Sequence, residues 1–397
     1  MFNPIVQQHL DFTVDSILKT LGKTNVVSIV MLGSWARGRG ICRMVNGKPT
    51  VESDYDLVVI VPTKSYVKSL WRVKALEKSI MVNLQQRGLS SHVSIFITTF
   101  TMLQLSKPSI RFMDLRLNGK VLAGKDVLVV LPSFSVAEIP YDDIVLLLLN
   151  RMAELLDSLS LDQLGAREFS QSSFRNLPKI IEKGYFVLIQ ASLLCNKTLI
   201  YRGTPVDELD LLISRVSFKK DFFKKICSEY KQLFYYDSQI KQSKVSIERL
   251  YSLLNHWNFL LQAVLELALS RTTLDDNKKS DVNFLLKEYC LNHKSSFVLR
   301  LAQLSMLSIQ YHSIKPSWLA KLSYILLVQG PLSIYIPLSE MFFHIENIIK
   351  SLNTNSGKTD NITKSLRNTL KTWELVAGGY LETEHAVYTK NVKVFIP

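Results

Sequence analysis

The sequence predicts an α+β protein in two parts: a small mixed β-sheet domain over residues 1–131, then an all-α helical bundle over residues 140–397. Three observations predict it. Up to residue 131, helical spacing alternates with short apolar runs that read as strands. Beyond Pro140, strand-like alternation is nearly absent and apolar residues recur at helical spacing. Pro132 and Pro140 bracket the stretch between, and 397 residues are too many for one ordinary core.

The elements follow in order. Ile5, Leu10, Val14, Ile17, Leu18 and Leu21 share one helical face over 4–21, and Gly22 supplies the stop. The run 26–32 is a strand, and the Gly-rich stretch 33–40 is a turn leading into a short helix. Asn46-Gly47-Lys48-Pro49 marks a turn, the tip of an extra hairpin over 43–51. A strand over 56–61 stops at Pro62, a helix spans 67–84 with basic residues outward, and a third strand covers 93–98. A short helix after Pro108 and a turn with a small strand over 118–124 close the first part. Helices are expected over 142–159, 174–195, 207–230, 247–269, 281–293 and 297–311, with more to about 377, and a polar loop over 353–360. The uncharged stretch 322–339 is broken by Gly330-Pro331 and Pro337, so it reads as two buried helical pieces and not as a membrane span.

Composition narrows the classes. Hydrophobic content of 47% with 21% charged residues describes a folded chain. A net charge of +14 favours anionic partners. The basic residues are spread out, so a nucleic-acid groove is the minority reading. Cys42, Cys195, Cys227 and Cys290 stand at no metal-ligand spacing, which suggests reduced thiols in a cytoplasmic protein. No signal peptide is read at the N-terminus, and no membrane partner is expected.

The chemistry concentrates in one place. The first strand ends in Gly33-Ser34, and the next apolar run opens with Asp54-Tyr55-Asp56. Residues i and i+2 of a strand share a face, so the two carboxylates project together. Paired carboxylates repel unless a cation lies between them, and Mg²⁺ takes such oxygens together with phosphates, Mn²⁺ being the alternative ion. Gly33 lets a phosphate approach the backbone, and Ser34 adds a hydroxyl and an N–H. Arg37 and Arg39 follow closely enough to add charge-assisted phosphate contacts.

Gly33-Ser34, a spacer, then Asp54-x-Asp56 resembles the signature of the polymerase-β nucleotidyltransferase superfamily, and Gly119 to Gly124 is similar to the turn and strand that close its minimal domain. The resemblance covers about the first third of the chain. It implies that Asp54 and Asp56 bind the metal and are catalytic, and that a nucleoside triphosphate is a substrate. The spacer between Ser34 and Asp54 is longer than in compact members. The family often carries a third carboxylate on the following strand, and the matching position here is Ser94. Three options follow: Asp114 or Glu52 substitutes; the metal alone activates the acceptor; or nucleotide is bound without efficient chemistry. His92, on the same face as Ser94, is either a base or a satisfied neighbour. The helical part is similar to the region following the catalytic domain in some larger bacterial and archaeal members, which implies triphosphate contacts from Arg151, Lys179 and Lys183. A solvated basic face is the alternative for the two lysines, which are four residues apart.

The leading expectation is a metal-dependent enzyme that transfers a nucleoside monophosphate to an acceptor hydroxyl and releases pyrophosphate. A small-molecule acceptor is favoured over a protein or an RNA: the large helical part argues for a shaped acceptor pocket, and the absence of a basic tail or aromatic-basic interleaving argues against RNA. The alternative is a catalytically degenerate nucleotide-binding or interaction protein, supported by Ser94. Ser356-Gly357-Lys358-Thr359 only imitates a phosphate loop, since Leu352 stands where the motif needs glycine.

Overall fold

The computed structural model describes residues 3–45, 47–89, 92–158, 171–197, 209–214, 220–240, 247–272, 281–292 and 331–343, with 365 and 368–370. The helix expected over 297–311, the loop over 353–360 and the first half of 322–339 lie outside these residues. The described residues divide into two compact units, one ending at Phe134 and the other starting at Ser135. The first is an α+β unit around a mixed sheet and the second is helical.

In the first unit, α1 (Pro4–Leu21) is started by the Asn3 side chain, which accepts from the Ile5 N–H at 3.0 Å, with Pro4 at the first helical position. It ends at Gly22, whose φ of +91° suits glycine. Residues 23–25 form a 3₁₀ turn whose Val26 N–H bonds back to Lys23, so β1 (Ser28–Leu32) starts two residues into its apolar run. A single helical turn, α2 (Gly33–Ala36), follows. The extra hairpin forms as expected from β2 (Cys42–Val45) and β3 (Lys48–Val51). Next come β4 (Tyr55–Val61), α3 (Tyr66–Gln85), β5 (Val93–Thr99), α4 (Phe100–Gln104), α5 (Ile110–Asn118) and β6 (Lys120–Gly124). The five-residue α4 is not foreshadowed by periodicity; it is nucleated by Thr99, whose hydroxyl accepts from the Met102 N–H at 3.1 Å.

The sheet order is β5-β4-β1-β6. β4 and β5 are parallel and joined by the α3 crossover, whereas β1 is antiparallel to both β4 and β6. Alternation divides the strand residues between two cores. Ile29, Met31, Tyr55, Leu57, Val59 and Ile95 pack beneath α1 and α3. Val30, Leu32, Val58, Ile60 and Phe96 pack against Phe112 and Leu115 of α5. At the β5 edge, the buried Glu77 of α3 accepts the Ile95 N–H at 2.6 Å and pairs with Lys74 at 3.1 Å. That bond occupies an edge donor that would otherwise be open to another strand.

The second unit contains α6 (Tyr141–Ser158), α7 (Gln171–Cys195), α8 (Leu209–Ser214), α9 (Lys220–Ile240), α10 (Ile247–Ser270), α11 (Val282–Asn292) and α12 (Tyr335–Phe343). Of the helix expected over 207–230, the described residues are 209–214, in α8, and 220–230, in α9. Phe223, Ile226, Cys227 and Tyr230 form a buried stripe on α9, and Leu209 of α8 is buried. Trp257 of α10 is fully buried, stacks edge-on against Phe342 at 5.4 Å, and faces Gly184, where a Cβ would come within 2.5 Å of its Nε1. Trp257 is therefore core, as its apolar surroundings predict. Burial pushes the thiols of Cys195, Cys227 and Cys290 up to about 12, which leaves them protonated and unreactive. No helix among the described residues is long and apolar enough to cross a membrane.

Candidate functional site

The antiparallel register sets Leu32 opposite Asp56, so the residue that leaves β1 is carried past the first residues of β4. That residue is Gly33, with φ of +69°. A Cβ built there would lie 2.4 Å from Asp56 Oδ2. The carboxylate is thus packed against bare backbone, and only glycine supplies both the left-handed conformation and the space. Tyr55 is fully buried in the α1–α3 core, while Asp54 and Asp56 on either side of it are half-buried. Alternation therefore turns both carboxylates away from that core. Asp54 Oδ1 accepts the His92 N–H at 3.2 Å.

A small network fixes the loop that carries Asp54. Trp35, in the turn after Gly33, donates its indole N–H to the Ser53 carbonyl at 3.2 Å and lies 5.9 Å from the Tyr55 ring. The buried Ser53 hydroxyl accepts the Ile41 N–H at 2.8 Å, and the Glu52 N–H donates to the Ile41 carbonyl at 2.9 Å. Gly40 lies under the indole, where a Cβ would come within 1.9 Å of the ring. The two motif segments are thereby tied together on either side of the inserted hairpin. Trp35, Gly40 and Ser53 were not read from the sequence as site residues. Their only signal is proximity to the motifs, because the indole contact spans the insertion.

The other candidates are distributed as follows. Ser34 is half-buried in the α2 turn, and its carbonyl accepts the Arg39 N–H at 2.7 Å. Because α2 is a single turn, any attraction for phosphate there comes from individual N–H groups and not from a long helix dipole. Arg37 pairs with Asp114 of α5 at 3.3 Å, and Asn118 donates to the same Asp114 oxygen at 2.8 Å. Arg39 is half-buried. Glu52 pairs with Arg43 of β2 at 3.4 Å. Both carboxylates considered as substitutes for the third acid are therefore engaged by arginines. The parallel register puts Ser94 directly beside Asp56, and Ser94 and His92 are exposed. Lys183 is exposed on α7 of the second unit; Lys179 is on the same helix, and its side chain is outside the described residues. Arg151 on α6 forms an ion pair with Glu154 one turn on.

Beneath the site, His9 of α1 is buried with Nδ1 3.3 Å from the Tyr55 hydroxyl and Nε2 3.4 Å from the Arg87 carbonyl. Burial holds its pKa below the ordinary 6.5 and pushes the Tyr55 phenol above its usual range. This neutral pair supports the segment between the two aspartates from the core side.

Among the described residues, no group of three or more His, Cys, Asp or Glu side chains is placed to hold a metal ion. Asp54 and Asp56 are both half-buried, two residues apart at the start of β4. No family model matches the chain, and no curated protein does. Among solved structures it is similar to spectinomycin adenyltransferase AAD(9) from Enterococcus faecialis, crystallised with ATP and spectinomycin. The two are 13% identical, the match covers 64% of this chain and 98% of that one, and the TM-score is 0.32. A likeness that loose carries no argument about the site.

Proposed function

We propose that the chain is a nucleotidyltransferase that moves a nucleoside monophosphate from a nucleoside triphosphate to an acceptor hydroxyl. The observation that carries this reading is the apposition of Gly33 to Asp56 Oδ2; strand alternation would put Asp54, two residues earlier, on the same face. The donor set fits Mg²⁺, or Mn²⁺ in its place, and Asp54 and Asp56 would hold it. When bound, such an ion supplies positive charge to the triphosphate and lowers the barrier to pyrophosphate departure.

The chain's own residues then have separable tasks. The His92 N–H bond to Oδ1 orients the Asp54 carboxylate, and Gly33 sets the position of Asp56. The N–H groups of the α2 turn, with Arg37 and Arg39, line the approach to the phosphates from the β1 end. The acceptor oxygen attacks the α-phosphorus, the bond to the bridging oxygen breaks, and the acceptor proton leaves for solvent or a nearby base. His92 is the nearest exposed imidazole in sequence to that position. Lys179 and Lys183 remain candidate triphosphate contacts, and a small molecule remains the favoured acceptor. A cytoplasmic setting agrees with protonated, unpaired thiols.

A second reading is favoured by one observation: the neighbour of Asp56 on β5 is an exposed serine and not an acid. On that reading the domain binds Mg²⁺ and nucleotide without efficient transfer. Incubation with each labelled nucleoside triphosphate, Mg²⁺ and cell extract separates the two. Pyrophosphate release that disappears in Asp56→Asn supports the enzyme, and Mg²⁺-dependent binding without release supports the binder.

A further inference from the structure

We propose that His9 is a positioning residue for the metal site, acting through the Tyr55 hydroxyl on the backbone that carries Asp54 and Asp56; the inference rests on the nucleotidyl-transfer reading. Tyr55 is fully buried, and alternation sends its ring to the opposite side of β4 from the two acids. Its backbone end is held by β5, where the Tyr55 N–H donates to the His92 carbonyl at 2.9 Å. Its hydroxyl end meets Nδ1 of His9 at 3.3 Å, with the two rings edge-on and their centres 6.1 Å apart. A rigid aromatic ring in a close-packed core joins these ends, so a displacement of the hydroxyl is passed to the Cα between the two aspartates.

Chemistry sets the direction of the hydrogen bond. Nε2 of His9 lies 3.4 Å from the Arg87 carbonyl, which can only accept, so Nε2 carries the proton. Nδ1 of the neutral ring is then an acceptor, and the Tyr55 O–H donates to it. The imidazole is itself held in place: His9 is 1% exposed, and the Thr13 hydroxyl donates to its carbonyl at 2.7 Å. Among the described residues, His9 is the hydrogen-bond partner of the Tyr55 hydroxyl. Protonation of His9 would make Nδ1 a donor, turn the phenol around and leave its proton without an acceptor in a buried place. The titratable and charged groups facing the pair are Arg87, just past α3, and Cys42 of β2. The charge of Arg87 disfavours a second cation, and burial and Glu52 push the Cys42 thiol up, which keeps it protonated. The neutral, Nε2-protonated ring is thus the form that holds Asp54 and Asp56 in place.

The experiment is calorimetry on the full chain with non-hydrolysable analogues of ATP, GTP, CTP and UTP, to find one that binds with Mg²⁺, and then measurement of the Mg²⁺ concentration that half-saturates its binding. The expected result is a rise of about threefold to tenfold in that concentration in Tyr55→Phe and in His9→Phe, the net worth of one neutral hydrogen bond. Ser65→Ala removes the bond to Asn25 at 3.0 Å, beyond the other end of β4; it weakens the same unit and leaves the Mg²⁺ requirement within about twofold of the parent. The gap between parent and Tyr55→Phe is complete above about pH 6.5 and narrows as pH falls toward about 5, because protonation removes the acceptor that the parent uses. Titration of the carboxylates and of the nucleotide phosphates is common to both chains and cancels in the comparison. Nitrogen NMR of the histidine-labelled parent, which needs no variant, is expected to show His9 protonated at Nε2. An Nδ1-protonated tautomer, an unchanged Mg²⁺ requirement in folded Tyr55→Phe or His9→Phe, a gap indifferent to pH, or an equal rise in Ser65→Ala overturns the proposal and leaves nucleotidyl transfer standing. Failure of the parent to bind any of the analogues with Mg²⁺ overturns both.

Discussion

Replacing Gly33 with alanine tests the geometry of the site in a single atom. The new Cβ would lie 2.4 Å from Asp56 Oδ2, against the 3.4 Å at which ordinary contact begins, so the carboxylate oxygen must retreat by about 1 Å or the turn must open. Metal–oxygen distances tolerate only about 0.2 Å, so a shift of that size breaks the arrangement. The φ of +69° adds roughly 1–2 kcal/mol of backbone strain for any residue with a Cβ. Gly38→Ala separates the two effects. Its φ is +74°, and nothing lies within 4 Å of a Cβ built there. Urea denaturation is expected to show both variants destabilised by roughly 1–2 kcal/mol. Mg²⁺-dependent nucleotide binding is expected to fall at least about tenfold in Gly33→Ala and to change far less in Gly38→Ala. Equal binding by the two variants would refute the claim that the bare backbone at 33 positions Asp56.

Three further outcomes are expected. Trp35→Phe keeps an aromatic side chain but removes the indole N–H that bonds the Ser53 carbonyl and part of the ring packed on Gly40; stability falls by at least about 1 kcal/mol and Mg²⁺ affinity falls with it, and a variant with unchanged metal affinity would remove Trp35 from the positioning of Asp54. Glu77→Ala leaves the Ile95 N–H at the sheet edge without its acceptor, so unfolding should come about 1–3 kcal/mol earlier by denaturant titration, and a loss below 0.5 kcal/mol would contradict that role. His9 is held below its ordinary pKa of 6.5, so the unfolded chain takes up its proton at higher pH than the fold does. Its contribution is complete above about pH 6.5 and declines as pH drops from there toward the folded pKa. His9→Gln should flatten the pH dependence of the urea midpoint between about pH 7.5 and 5.5, and an unchanged slope would show that other groups set it.

Much of the first unit was legible because its signals are local. Helical spacing over 4–21 and the stop at Gly22 mark the first helix, and the Asn46-Gly47 turn announces the hairpin. Gly33-Ser34 and Asp54-x-Asp56 are each short enough to read directly, and period-two alternation already puts the two acids on one face. What joins the two motifs was not legible. The Trp35–Ser53 bond and the Gly40 contact cross an inserted hairpin, and no periodicity encodes them. The position of Arg111 over Phe96 depends on how α5 packs against the sheet, which is tertiary information. The same is true of Asp114, which reads as a spare acid in sequence and is bound to Arg37 in the fold.

The most direct measurement is a calorimetric titration of the full chain with ATP and the other nucleoside triphosphates, with Mg²⁺ and with chelator, repeated on Asp54→Asn and Asp56→Asn. At least one nucleotide should bind only when Mg²⁺ is present, and either substitution should abolish that dependence while the chain stays folded. Binding that persists in chelator, or that survives both substitutions with its metal dependence intact, would contradict a metal site built on these two carboxylates.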